Sequence, residues 1–295
     1  MFQIISDGGS DFSQEEIKKH EIEVVPFYVN FHDEFLKVGV DITTEAFFNR
    51  LSTEKNVFPK TSQPNPHDYI EACEPYLKVG KDIVLLTISS KLSGSYNSAV
   101  IAADLLKEDY PQNKVMIIDS LNGSIAQGLI LREMIKMRDA GYTLERTVEL
   151  AKKVMTTTRI YFTLDTLEYL KRGGRVGPTT AFVGGILGLR PILQLEDGEV
   201  SQLDNVRGKK NVLRLIHEAM IAALEDEKEN VNISVGHIFS EKEAIAFKNN
   251  LETALDITIT TPITEVGATI GAHAGPGALA FAYCKTYESI EKEGL

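Results

Sequence analysis

The apolar positions fall into two rhythms along the 295 residues. In the first half, short apolar runs alternate with segments of helical spacing. Phe2 to Ile5 reads as a buried strand closed by Ser6-Asp7-Gly8-Gly9. Val24 to Val29 reads as a second strand, placed at an edge by Pro26. Thr43 to Leu51 reads as a helix capped by Thr43 or Thr44. Phe58 to Pro66 carries Pro59, Pro64 and Pro66 and is expected as an extended loop, leading into a helix over Tyr69 to Leu77. Asp82 to Ile88 contains a continuous apolar run of the kind that fills a central parallel strand. A Ser/Gly loop follows, then a helix with Ala99, Ala102, Ala103, Leu105 and Leu106 on its apolar positions. Val115 to Ile118 is a further buried strand, and Ser124 to Arg138 a helix stopped at Gly141. Thr143 caps the next helix, with Glu145 in its first turn. This βαβα order predicts an open, mostly parallel sheet.

The second half reads differently. Arg159 to Leu164 is a strand, and Leu167 to Lys171 a short helix broken by Gly173-Gly174. Pro191 to Leu195 and Val200 to Leu203 flank Glu196-Asp197-Gly198-Glu199, a hairpin signal. A helix is expected from Lys210 to Asp226 and a strand over Val231 to Ile238. Ser240-Glu241-Lys242-Glu243 predicts a capping box opening a helix to Ala254. Ile257 to Ile263 and Val266 to Ile270 are expected to complete the strands. Hairpins with interposed helices predict an α+β unit with a mixed or antiparallel sheet. The expected division is residues 1–156, an N-terminal α/β domain, and 157–295, a C-terminal α+β domain.

The chain has 31 Lys and Arg against 42 Asp and Glu, a net charge of −11. That balance argues against a nucleic-acid partner and against docking on an anionic membrane. Any anionic ligand must be held by a local site working against the global field. Cys73 and Cys284 have no metal or redox spacing, so a reduced cytoplasmic location is expected. The start lacks a basic n-region and does not read as a signal peptide. No apolar stretch approaches the roughly 20 residues of a membrane span.

Several catalytic signatures are missing. There is no P-loop, since Gly208-Lys209-Lys210 lacks the preceding glycine and the Ser/Thr, and no dinucleotide fingerprint. There is no G-x-S-x-G elbow, and the six histidines (His20, His32, His67, His217, His237, His273) show no zinc spacing. Four features remain. Ile88 to Tyr96 joins a buried strand to a helix start and offers hydroxyls and backbone N–H groups to an anion; it reads equally as a Ser-capped helix. Thr61-Ser62-Gln63-Pro64 sits in the proline-fenced loop, as a binding loop or a rigid connector. Gly271 to Ala278 frames His273 with turn residues, which suits hydrogen bonding to an anion or a proton relay. Lys171-Arg172-Gly173-Gly174-Arg175 and Val206-Arg207-Gly208-Lys209-Lys210 offer guanidinium forks for a carboxylate or phosphate. They also read as solvated charge at helix ends, most simply for Arg172, Lys209 and Lys210. Asp7 and Asp11 beside the first strand offer a functional pair of carboxylates, and read more simply as turn and cap residues. On these residues alone one activity stays open, a hydrolase or acyl/phosphoryl transferase using Ser93 with His273 as base.

The ordered set of motifs resembles the DegV family of bacterial fatty-acid-binding proteins. It comprises Ser6-Asp7-Gly8-Gly9-Ser10-Asp11, Thr61-Ser62-Gln63-Pro64, Leu92-Ser93-Gly94-Ser95-Tyr96 and Ile118-Asp119-Ser120. It continues with Gly173-Gly174-Arg175, Val206-Arg207 and Gly271-Ala272-His273-Ala274-Gly275-Pro276-Gly277-Ala278. Two departures stand out: Gly8-Gly9 where the family has Ser-Thr, and Ser95 where it has Thr. The resemblance implies a two-domain α/β fold enclosing one long-chain fatty acid such as palmitate, oleate or stearate. It implies a carboxylate held by Thr61 and Ser93, with His273 and Arg207 completing the polar network. It implies a lipid carrier with no cofactor and no catalysis of its own. Its partner would be a dihydroxyacetone-kinase-like fatty acid kinase that makes acyl-phosphate for phospholipid synthesis. The small, apolar segment Ala181 to Leu189 is a candidate tunnel wall, or an ordinary core helix.

Overall fold

A computed structural model describes residues 2–54, 57–176 and 189–294. The tunnel-wall segment Ala181 to Leu189 lies outside the described residues except for Leu189. From the N-terminus the elements are β1 (Gln3–Asp7), α1 (Gln14–Lys19), β2 (Glu23–Val25), β3 (Tyr28–Phe31), β4 (Glu34–Lys37) and α2 (Thr44–Thr53). Next come β5 (Lys60–Ser62), α3 (Pro66–Leu77), β6 (Ile83–Thr87), α4 (Ser95–Asp109), β7 (Val115–Asp119), α5 (Ser124–Asp139) and α6 (Leu144–Thr157). Then follow β8 (Arg159–Thr163), α7 (Glu168–Gly173), β9 (Leu189–Glu196), β10 (Glu199–Arg207), α8 (Lys209–Leu224) and β11 (Val231–His237). The chain ends with α9 (Glu241–Leu255), β12 (Thr264–Glu265), α10 (Ala268–Ala274), β13 (Leu279–Lys285) and α11 (Tyr287–Glu293).

The fold is mixed α/β. A parallel four-stranded sheet has the order β2-β1-β6-β7, and a mixed six-stranded sheet the order β10-β9-β8-β13-β11-β12. A small antiparallel sheet, β4-β3-β5, lies beside them. Helix α5 is apolar around most of its circumference, with Ile125, Leu129, Ile130, Met134 and Met137 all buried. Such a helix must be covered on several sides. It packs against β1 on one side and β11 and β13 on the other, so one core joins both large sheets. Its buried Glu133 accepts hydrogen bonds from Asn232 Nδ2 and the Tyr287 backbone N–H, both at 2.7 Å, and ties α5 to the second sheet. Helices α3 and α4 cover the outer face of the parallel sheet, and α8 and α9 that of the mixed sheet. Among the described residues, no helix is long and apolar enough to cross a membrane.

Several expectations change. The run Val24 to Val29 is not one strand. It divides at Pro26, which cannot donate to a ladder, so β2 edges the parallel sheet while β3 enters the small one. The proline-fenced loop contains β5, whose Thr61 sits opposite Val29 of β3. Ile257 to Ile263 is not a strand: only Thr264–Glu265 pairs, beyond Pro262. Val266 to Ile270 is not a strand either. Gly267 opens helix α10 there, and the small residues Ala268, Gly271 and Ala272 let the helix approach Phe47 and Phe48 closely. Close packing thus overrides a β-branched composition. The capping box at Ser240 does not form. Lys209 Nζ instead takes both Ser240 Oγ (3.2 Å) and Glu243 Oε1 (2.9 Å). The hairpin does form: Asp197 and Gly198 have φ of 49° and 86°, the positive values that a tight two-residue turn demands.

Candidate functional site

Between β8, β9, β10 and β13 on one side and the segments that follow β2, β6 and β7 on the other lies a largely apolar cavity. It holds about 960 Å³ of empty space, part of it continuous with solvent. Phe162, Leu164, Leu195, Val200 and Ala280 give it apolar walls, while Thr61, Ser93, Arg175 and His273 gather as polar lining. Residues before position 125 and after position 159 both contribute, so the two halves of the chain each supply a wall.

Strand β5 brings Thr61 to the cavity by pairing with β3. Helix α10 brings His273 on its last turn, where Nε2 lies 2.7 Å from Thr61 Oγ1. Behind the ring runs Gly173, the last residue of α7. A Cβ at Gly173 would overlap His273 Nδ1, so only glycine lets α7 and α10 come this close. Nδ1 has no hydrogen-bond partner among the described residues. A buried N–H without an acceptor costs more than an unused lone pair. We therefore assign the proton to Nε2, which donates to Thr61 Oγ1. Thr61 then spends its lone pair on His273 and keeps its own O–H for the cavity. Burial, with the Arg175 charge adding to it, pushes the His273 pKa down to about 4, so the ring is neutral at pH 7.

Ser93 lies in the turn before α4. Its backbone N–H donates to Ser89 O at 3.1 Å, and its Oγ accepts from the Ser95 N–H at 3.2 Å. Ser89 Oγ in turn donates to Gly198 O (2.7 Å), so the tip of the β9–β10 hairpin braces the loop that carries Ser93. Arg175 adds a second brace, its Nε donating to Leu92 O at 3.1 Å. Gln63 closes the rim, its Oε1 accepting from the Gly94 N–H at 3.0 Å.

The structure thus brings Thr61, Ser93 and His273 to one cavity. Arg207 is not with them. It is exposed at the far end of β10, eight residues beyond the Glu199 end that braces the Ser93 loop. At about 3.3 Å per residue, that is on the order of 25 Å away. Arg175 is the guanidinium that lines the cavity instead. The sequence signal for it was the Gly173-Gly174-Arg175 motif, whose first glycine fits against His273. The Ser93–His273 hydrolase geometry does not assemble. His273 bonds to Thr61 rather than Ser93, and no carboxylate among the described residues meets Nδ1 to orient the ring. A ring with a pKa of about 4 is also a poor base at pH 7.

Residues 1–286 match the DegV family model, whose description reads "Uncharacterised protein, DegV family". A DegV domain-containing protein of Caldanaerobacter subterraneus subsp. tengcongensis is 36% identical over 278 residues, covering 93% of this chain and 95% of that one. A stearic-acid-binding protein of Eubacterium ventriosum superposes with a TM-score of 0.92 at 30% identity, covering 98% of this chain and 100% of that one. A fatty-acid-binding DegV family protein of Thermus thermophilus superposes with a TM-score of 0.87 at 27% identity, covering 96% and 99%. On sequence and on fold alike, the chain belongs to the DegV family.

Proposed function

We propose that this protein binds one long-chain fatty acid, with the carboxylate on the hydroxyls of Thr61 and Ser93 and the tail in the apolar cavity. The observation that carries the reading is the polarity of the site. Thr61 accepts from His273 and Ser93 accepts from the Ser95 N–H, so both O–H groups are free to donate to an anion. The relatives that bind stearic and other fatty acids support it. Burying a C16 tail removes about 14 methylenes from water at about 0.8 kcal/mol each, so about 11 kcal/mol gross comes from the tail. The head-group site orients the carboxylate and offsets its desolvation with hydroxyls and the Arg175 charge.

The protein is, on this reading, a carrier rather than an enzyme. Residues 1–156 and 157–295 act as two domains that close on the lipid, and the carboxylate is presented to a partner fatty acid kinase for conversion to the acyl-phosphate. The exposure of Gln63 and Lys91 beside the polar lining supports a head group within a partner's reach. Arg175, rather than Arg207, supplies the cation. Native mass spectrometry of the purified protein tests the binding: a mass increment of a C14–C18 fatty acid is expected. Protein that carries none and ignores added palmitate overturns the reading. Adding the kinase and ATP then tests presentation, through acyl-phosphate formation that depends on this protein.

A further inference from the structure

Asp7 is a fully buried carboxylate that neither the cavity lining nor the carboxylate contacts use. It ends β1 and accepts four hydrogen bonds. Its Oδ1 takes the Gly9 N–H (3.1 Å) and Gln127 Nε2 (3.0 Å); its Oδ2 takes the Ile88 N–H (3.0 Å) and Ser95 Oγ (2.6 Å). Three of these donors are N–H groups, which hold both carboxyl oxygens in place. The fourth contact fixes the Ser95 side chain against Asp7. The Tyr69 hydroxyl, 2.5 Å from Ser95 Oγ, holds that side chain from its other side. This chain of bonds fixes Ser95 as the first residue of α4, and the Ser95 backbone N–H is the group that occupies a lone pair of Ser93. Gly9 fits the arrangement, because a Cβ there would meet the Ile88 side chain, Gln127 and Asp7 together.

We propose that Asp7 and Ser95 are positioning residues: they hold Ser93 Oγ with its lone pair engaged and its O–H aimed at the ligand carboxylate. The proposal rests on the fatty-acid reading above. It explains why a chain of net charge −11 keeps a buried carboxyl group behind an anion site. The carboxyl group does not face the ligand; it acts there by fixing the Ser95 backbone N–H on Ser93, whose own O–H is the donor.

The test compares affinities for palmitate and for hexadecan-1-ol, which share a tail and differ in the charge of the head. It uses the wild type, Asp7→Asn and Ser95→Ala, each with and without Ser93→Ala. Asn at position 7 places an N–H₂ against existing donors, and Ser95→Ala carries the test if Asp7→Asn does not fold. The expected result is a loss of about tenfold in the preference for the acid in either variant, with the alcohol affinity nearly unchanged. In the Ser93→Ala background neither variant costs further preference, since both act through Ser93. Acid and alcohol affinities that fall together overturn the proposal, as does a further loss of preference without Ser93. A wild type that binds neither ligand sinks the fatty-acid reading itself.

Discussion

Thr61 Oγ1 and His273 Nε2 lie 2.7 Å apart although 212 residues separate them in sequence. The contact joins the small three-stranded sheet to helix α10 and sets the direction of the Thr61 hydroxyl. Only with Nε2 as donor does Thr61 keep its hydrogen for an anion.

This assignment predicts the nitrogen spectrum of the ring. In the ligand-free protein, His273 is expected as the neutral Nε2–H tautomer, titrating near pH 4 rather than its ordinary 6.5. The folded pKa lies below the unfolded one, so the ring's contribution to stability is complete above pH 6.5 and is lost as pH falls toward 4. Long-range ¹H–¹⁵N correlation spectra across that range check it. A midpoint near 6.5, or a proton on Nδ1, contradicts it.

Gly173 gives a steric test of the same ring. Gly173→Ala forces a Cβ into His273 Nδ1, while in the helix itself Ala is favoured over Gly by about 1 kcal/mol. Palmitate affinity is expected to fall more than the melting temperature. Calorimetric binding and thermal unfolding measured together decide it. Unchanged affinity shows that the ring's place is immaterial.

The two arginines separate cleanly. Arg175→Ala is expected to weaken palmitate binding about tenfold, by the value of a charge-assisted contact, whereas Arg207→Ala leaves it unchanged. The reverse ranking returns the cation to Arg207.

Asp11 gives a stability test away from the cavity. Its carboxylate accepts from Ser124 Oγ (2.6 Å) and the Gly267 N–H (2.9 Å), tying the first loop to the start of α10. Burial pushes its pKa up from 3.8 to about 7, so the folded protein holds this proton more tightly than the unfolded chain. The group favours folding at low pH, and that advantage is lost as pH rises from about 4 through 7. Asp11→Asn mimics the protonated form. Its melting temperature is therefore expected to match wild type below about pH 4 and to exceed it by a margin that grows up to pH 8. An equal difference at both values contradicts the buried-carboxylate account.

The sequence was most readable where local chemistry decides the structure. The apolar run at Ile83–Thr87, the Thr143 cap and the Asp197-Gly198 turn all act through neighbouring residues. It was least readable where distant packing decides. Val266 to Ile270 reads as a strand until Phe47 and Phe48 are seen beside it, and Ser240 reads as a cap until Lys209 arrives. The β4 and β5 strands are short and gain their identity only by pairing with β3. Helix α1 left a local signal, the capping pair Ser13 and Glu16, but no buried residue to mark a periodic face. In the site, hydroxyl and histidine positions followed from their motifs, while choosing between Arg175 and Arg207 required knowing which end of β10 meets the Ser93 loop.

The most direct measurement is a crystal structure of the protein with palmitate. The account predicts electron density for the tail along Phe162, Leu195 and Val200, with carboxylate oxygens within hydrogen-bond distance of both Thr61 Oγ1 and Ser93 Oγ. A carboxylate placed elsewhere, or a cavity that stays free of lipid in the presence of excess palmitate, contradicts it.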